Sequence, residues 1–132
     1  MILPDTYALV WMDAGSGKLG LQARSRIDTA PGEDVLAVSV ISFQEPGMLQ
    51  IKKRIAMPPL IHWRRELLKM GLQELPMNGS QGILTNELDN FHPDPADRLI
   101  VAAAMVHNAL LVTADRRIPK WPGKVGRIEA GR

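Results

Sequence analysis

The stretch Asp94-Pro95-Ala96-Asp97-Arg98-Leu99-Ile100-Val101-Ala102-Ala103-Ala104, followed after His107 by Ala109-Leu110-Leu111-Val112-Thr113-Ala114-Asp115, decides the fold. Asp94 is a good N-cap residue. Pro95 suits the first helical position, where a missing N–H falls among donors that a helix start leaves unpaired anyway. A helix is therefore expected from Pro95 to about His107, and a strand from Ala109 to Thr113. One acid, Asp97, stands in the first turn of that helix, and another, Asp115, stands just past the strand.

The same alternation extends outward in both directions. Upstream, Ile2-Leu3 reads as a short strand entering a helix over Thr6 to Met12. Gly15-Ser16-Gly17 breaks it, and Lys18 to Ile27 forms a second helix with Leu19, Ala23 and Ile27 on one face. Asp34 to Val40 is a second strand, β-branched and expected to be buried on both faces. A helix follows from Ser42, carrying Leu49, Lys52 and Lys53. After Pro58-Pro59 another helix runs from Leu60 to Met70 and stops at Gly71, a suitable C-cap. Leu72 to Leu75 is a short strand and Gly79 to Leu88 a helix. Downstream, Asp115 to Ile118 forms a helical turn and Lys124 to Ile128 a last edge strand. Strands that alternate with helices need crossover connections. The expected class is thus α/β, a sandwich with a mostly parallel central sheet flanked by helices.

Composition bounds the function. With 132 residues the chain is read as a single domain over residues 1–132, long enough to bury about two-thirds of its extended surface. Apolar residues at 45% and charged residues at 23% argue against disorder. Sixteen Lys and Arg against fourteen Asp and Glu give +2, which permits a nucleic-acid partner without demanding one. The absence of Cys excludes a disulfide scaffold, a thiolate metal site and a Cys nucleophile, and fits a reducing cytoplasm. Met1-Ile2-Leu3-Pro4-Asp5 is no signal peptide, and the longest apolar run, Leu99 to Val106, falls far short of a membrane span. The expectation is a soluble protein.

Four acids fall at equivalent places: Asp5 after the first strand, Glu45 beyond the second, Asp97 at its helix start and Asp115 after the strand ending at Thr113. In a parallel sheet these points share the carboxyl edge, where open α/β folds bind ligands. Each has an ordinary explanation too. Asp94 and Asp97, or Ser42 and Glu45, have capping-box spacing, and Asp5 or Asp115 could cap a short helix alone. Four acids on one edge are harder to assign to capping. Each close pair would repel by roughly 4 kcal/mol at an effective dielectric near 20. Such a cluster calls for a divalent cation, and all-oxygen ligation favours Mg²⁺ or Mn²⁺ over Zn²⁺.

At these residues the chain resembles PIN-domain proteins. Leu3-Pro4-Asp5-Thr6-Tyr7-Ala8-Leu9-Val10-Trp11 is similar to their opening strand and helix. Val38-Ser39-Val40-Ile41-Ser42-Phe43-Gln44-Glu45 is similar to their Ser-x-x-Ser-x-x-Glu segment, and the two segments quoted at the outset match their third and fourth motifs. The order covers essentially the whole chain, and the group resembled is the VapC-like ribonuclease toxins of type II toxin–antitoxin systems. The resemblance implies a PIN-like three-layer sandwich and Mg²⁺-dependent endoribonuclease activity. It implies Asp5, Glu45, Asp97 and Asp115 as the catalytic acids, with Asp94 outside them. Asp5 and Asp97 would ligate metal directly, Asp115 would bind metal or a metal-bound water, and Glu45 would orient the attacking water or complete a second metal site. A cognate antitoxin and a homodimer are implied as well. The departures are Pro4, Tyr7, Gln44 and Pro46-Gly47. The last of these could re-aim Glu45, so the rival reading is a non-catalytic PIN-like binding module.

Basic residues would supply an RNA track: Arg98, Lys52-Lys53-Arg54 and Arg116-Arg117. Arg64-Arg65 reads as solubilising surface, and Trp11, Trp63 and Trp121 as core or interface residues. The apolar N-terminal helices, with Leu9, Val10, Met12 and Leu19, would offer the antitoxin its groove. Gly15-Ser16-Gly17-Lys18 is no phosphate loop, because Met12 and Leu19 stand where Gly and Ser/Thr are needed and a helix precedes it.

Overall fold

In the computed structural model every strand runs parallel to its neighbours. It describes residues 1–33, 35–45, 53, 58–91 and 93–132, with backbone alone for residues 30–33. The elements are β1 (Ile2–Pro4), α1 (Thr6–Asp13), α2 (Leu21–Glu33), β2 (Ala37–Ser39), α3 (Ile41–Gln44), α4 (Leu60–Lys69), β3 (Gln73–Leu75), α5 (Gly79–Thr85), α6 (Pro95–Val106), β4 (Leu110–Thr113) and β5 (Arg127–Glu129). β1, β4 and β5 form one sheet and β2 and β3 another. A single parallel bridge between Ile2 and Leu36 joins them, so the strands lie in the order β3-β2-β1-β4-β5.

Alternation along the strands builds three layers. Ile2, Val38 and Val112 point into a core shared with Leu9, Ala23, Ile27, Trp63 and Leu67 from α1, α2 and α4. Their neighbours Leu3, Ala37 and Leu111 point into a second core with Ile100, Ala103 and Ala104 of α6. Both faces of the sheet are apolar, as the continuous apolar strands require. The helices are set by their ends: Asp94 accepts from the backbone N–H of Ala96 at 2.9 Å and of Asp97 at 3.3 Å, and Gly71 beyond α4 takes φ +99°.

Pro4 closes β1 without breaking the sheet. Ile2 N–H donates to Val35 on the β2 side, whereas Asp5 N–H donates to Val112 on the β4 side, each at 2.8 Å. By alternation the missing Pro4 donor faces β2, where only the Ile2–Leu36 bridge connects the strands.

Several elements depart from expectation. α2 begins at Leu21 rather than Lys18 and runs past Ile27 to Glu33, although Leu19, Ala23 and Ile27 are buried as expected. β2 is only Ala37–Ser39, and α5 ends at Thr85. The helical turn expected over Asp115 to Ile118 is a turn over residues 116–120, and β5 begins three residues later than Lys124. α3 starts at Ile41, so Ser42 lies inside it and makes no capping box with Glu45. Asp34 and the expected helix through Leu49 and Lys52 lie outside the described residues, as do Pro46-Gly47 and Arg54. Leu9, Val10 and Leu19 are buried and belong to the core, which corrects their reading as an open groove; of that set only Met12 is partly exposed.

Candidate active site

The order β3-β2-β1-β4-β5 reverses direction between β1 and β4, and the carboxyl ends of those strands flank the crevice where such sheets bind ligands. Asp5 leaves β1 and Asp115 follows β4 at that point. Glu45 arrives at the end of α3, and Asp97 from the first turn of α6. All four line one cavity of about 360 Å³, together with Asp94, Thr6, Tyr7, Trp11, Ala114 and Arg117. The structure thus brings together every acid that the sequence singled out.

Asp5 is the most tightly held. Its Oδ1 accepts from Ala8 N–H at 2.9 Å, so it does cap α1. Its Oδ2 accepts from the Thr113 hydroxyl at 2.7 Å and from Ala114 N–H at 2.8 Å, tying β1 to the end of β4. Burial nevertheless pushes Asp5 up to about 6 against these three hydrogen bonds, with the Glu45 charge adding to the rise. A carboxylate offers about four acceptor positions, so Oδ1 keeps room for one more partner. Capping and a place in the site are both true of this residue.

Glu45 is also raised by burial; a hydrogen bond with Thr6 opposes the rise and the Asp94 charge adds to it. The Thr6 hydroxyl lies 3.0 Å from that of Ser42, which anchors this corner. Among the described residues, Glu45 Oε2 is buried without a hydrogen-bond partner.

Asp97 and Asp115 are hydrogen-bonded to one another and titrate as a pair. Burial pushes Asp97 up to about 8, aided by the bond to Asp115 and by the charges of Asp115, Asp94 and Asp5. Burial would raise Asp115 too, but Arg117 overrides it and holds Asp115 at about 2. Of the two, Asp97 therefore holds its proton the more tightly. Arg117 grips Asp115 through its backbone N–H (2.8 Å), Nε (3.1 Å) and Nη2 (2.8 Å), and the same Nη2 lies 3.6 Å from Asp97.

The donor set suits a hard divalent cation: oxygen throughout, an excess of negative charge, and one buried oxygen at Glu45 with nothing to bind. As the side chains stand, no group of three acids among the described residues is gathered tightly enough to chelate an ion. Arg117 instead supplies counter-charge to both Asp115 and Asp97.

The basic residues divide. Arg117 belongs to the cavity wall rather than to an outward track. Arg98 donates to the carbonyls of Thr85 and Phe91, each at 2.7 Å, and covers the Phe91 ring; it braces the loop before α6 instead of facing the pocket. Arg116 and Lys53 are exposed, whereas Lys52 and Arg54 lie outside the described residues. Trp63 and Trp121 are core residues, their indole N–H groups bonded to Asp13 and to the Asp89 carbonyl. Trp11 is only partly buried and lines the cavity with Tyr7, the ring centroids 6.5 Å apart. Sequence reading missed this pair, although the i, i+4 spacing on α1 was there to be seen.

A parallel α/β sandwich with carboxylates converging at its switch point defines the class, and the PIN-domain profile matches residues 2–124. The chain belongs to the PIN-domain family. Within that family it is 34% identical over 119 residues to Ribonuclease VapC22 of Mycobacterium tuberculosis, covering 89% of this chain and 88% of that one. Its fold is similar to that in the structure of VapBC2 from Rickettsia felis bound to a promoter DNA fragment (TM-score 0.71, 16% identity, 98% of each chain). It is likewise similar to that of VapBC-1 from nontypeable Haemophilus influenzae (TM-score 0.68, 19% identity, 100% of each chain).

Proposed function

We propose that this chain is a divalent-metal-dependent endoribonuclease, the toxin of a type II toxin–antitoxin pair. The observation that carries the reading is the convergence of Asp5, Glu45, Asp97 and Asp115, from four separate elements and loops, on one cavity at the β1/β4 switch point. The likeness to a protein named as a ribonuclease supports the substrate class. The place of Glu45 in the cavity wall, with a free buried oxygen, favours catalysis over the rival reading of a non-catalytic binding module.

Asp5, Asp97 and Asp115 would hold Mg²⁺ or Mn²⁺. When bound, the cation neutralises phosphate charge and acidifies a water. The chain supplies the rest. Thr113 and Ala114 fix the Asp5 carboxylate, while Glu45 Oε2 orients the attacking water. In-line attack at phosphorus breaks the bond to the 3′-oxygen, which leaves with a proton as a 3′-hydroxyl, and the other product keeps a 5′-phosphate. Arg117 restrains Asp115 until the acids take up metal.

The proposed partners are an antitoxin protein and a second copy of the chain. Exposed Leu21, Ile61, Met70 and Ile83 offer apolar surface for such contacts. The proposed setting is cytoplasmic, and no helix among the described residues is long and apolar enough to cross a membrane. End-mapping of cellular RNAs after induced expression tests the reading. New 5′-phosphate ends at discrete sites, suppressed by co-expression of a cognate antitoxin, are expected. An unchanged RNA profile would refute it.

A further inference from the structure

The acidic cavity continues into a groove on either side, and the two differ sharply in charge. On the Tyr7 side the groove is lined by Glu45, Asp94, Ile41 and Leu99, with no cation among its described lining residues. On the Trp11 side a second cavity of about 330 Å³ shares Trp11, Ala114 and Asp115 with the acidic one and adds Arg116, Lys120 and Arg132. Arg132 is spent on Glu129, which lies 3.3 Å away in the same wall. Arg116 and Lys120 are both exposed and carry no ion pair among the described residues. This groove thus presents two free cations beside a partly exposed indole.

A phosphodiester chain cannot lie along carboxylates alone, because each added phosphate meets like charge. Of the two ways out of the acidic cavity, the Trp11 side is the one that offers counter-charge among the described residues. Trp11 forms the wall at the junction, with one face of its neighbourhood in each cavity. Aromatic side chains in such positions bind unpaired bases by stacking, which duplex RNA cannot offer from its interior.

We propose that Trp11, Arg116 and Lys120 form a subsite for single-stranded RNA next to the scissile phosphate. Trp11 stacks on a base, and the two cations contact the phosphates that follow. The subsite rests on the ribonuclease reading, and it assigns the strand an exit on the β5 side of the sheet, away from Glu45 and Asp94.

The test uses the full chain carrying Asp97→Asn, so that RNA stays intact in Mg²⁺, and a fluorescein-labelled single-stranded polyuridine followed by anisotropy across a salt series. Arg116→Gln with Lys120→Gln should weaken binding and lower the slope of log affinity against log salt by about 1.4, two single-strand phosphate contacts. Trp11→Ala should weaken binding about fivefold or more and leave the slope unchanged. Arg65→Gln with Lys69→Gln, exposed on α4, should change neither quantity. Should Trp11→Ala fail to fold, the exposed Arg116/Lys120 pair still decides. Equal affinity and slope with and without that pair overturn the subsite. Cleavage of RNA by the unmodified chain would then leave the ribonuclease reading standing, whereas no binding and no cleavage would sink both.

Discussion

Asp97→Asn should make the metal-free protein more stable at neutral and alkaline pH. An acid whose folded pKa is raised contributes stability at low pH that is lost as pH climbs from its unfolded value to its folded one. For Asp97 that window runs from 3.8 to about 8. Asp115 acts oppositely: its pKa is lowered to about 2, so its contribution is already complete above 3.8 and stays constant through the same window. The substitution leaves Asp115 on Arg117, so above pH 8 the cost of ionising Asp97 is what separates the two proteins. At 1.36 kcal/mol per pKa unit, discounted because part of Asp97 is open to solvent, that cost is on the order of 3 kcal/mol. An amide at position 97 keeps the shape and carries no charge. Melting temperature of the metal-free variant should therefore exceed the parent's at pH 8 by about 10 °C, with the gap closing toward pH 4. Mg²⁺, which binds only the folded state, should raise the parent's melting point and do so far less in the variant. Circular dichroism melts at several pH values, with EDTA and with Mg²⁺, give all four numbers. If the residue matters only as part of the α6 N-terminus, the variant loses about 0.5–2 kcal/mol at every pH and its Mg²⁺ shift equals the parent's. That outcome would refute the reasoning.

Further consequences are open to measurement. Arg117→Ala frees the Asp115 carboxylate from its bidentate partner, so thermal shift should report tighter Mg²⁺ binding; unchanged or weaker binding would deny Arg117 that role. Thr113→Val removes the 2.7 Å bond to Asp5 and the acceptor of Asp115 N–H. It should cost about 1–3 kcal/mol in urea unfolding and lower RNA cleavage. Arg98→Ala should destabilise the fold by a similar amount through two abandoned carbonyls, with the KM for RNA unchanged. Leu9→Asp should unfold the protein rather than selectively weaken a partner, because Leu9 lies in the core; a native spectrum would contradict that.

The site was more legible in the sequence than its surroundings. Asp5, Glu45, Asp97 and Asp115 could be placed on one edge because parallel topology fixes where strands end, whatever their exact lengths. Fold class followed from the same alternation, and the double-sided burial of β2 from its apolar run. The misreadings concern direction rather than position. Arg98 and Arg117 each stand one or two residues after a candidate acid, yet long cationic side chains swing through several ångströms. Tertiary contacts sent Arg98 to two carbonyls and Arg117 back onto Asp115. Leu9, Val10 and Leu19 read alike as core or open groove, since an amphipathic face reveals that it is covered but not by what. Element ends moved for similar reasons: α2 runs on to Glu33 despite Pro31-Gly32, and β2 shrinks to the residues that pair with β3.

The most direct test of the acidic pocket as a metal-dependent nuclease centre is cleavage of a single-stranded RNA by purified parent and Asp5→Asn protein, each in Mg²⁺ and in EDTA. Asp5 accepts hydrogen bonds from the backbone N–H groups of Ala8 and Ala114 on different oxygens, so an amide nitrogen at this position faces one donor, and a circular dichroism melt showing the variant folded accompanies the rate. The account predicts 5′-phosphate products from the parent in Mg²⁺ alone. Cleavage by the parent in EDTA, or by Asp5→Asn at the parent's rate, would contradict it.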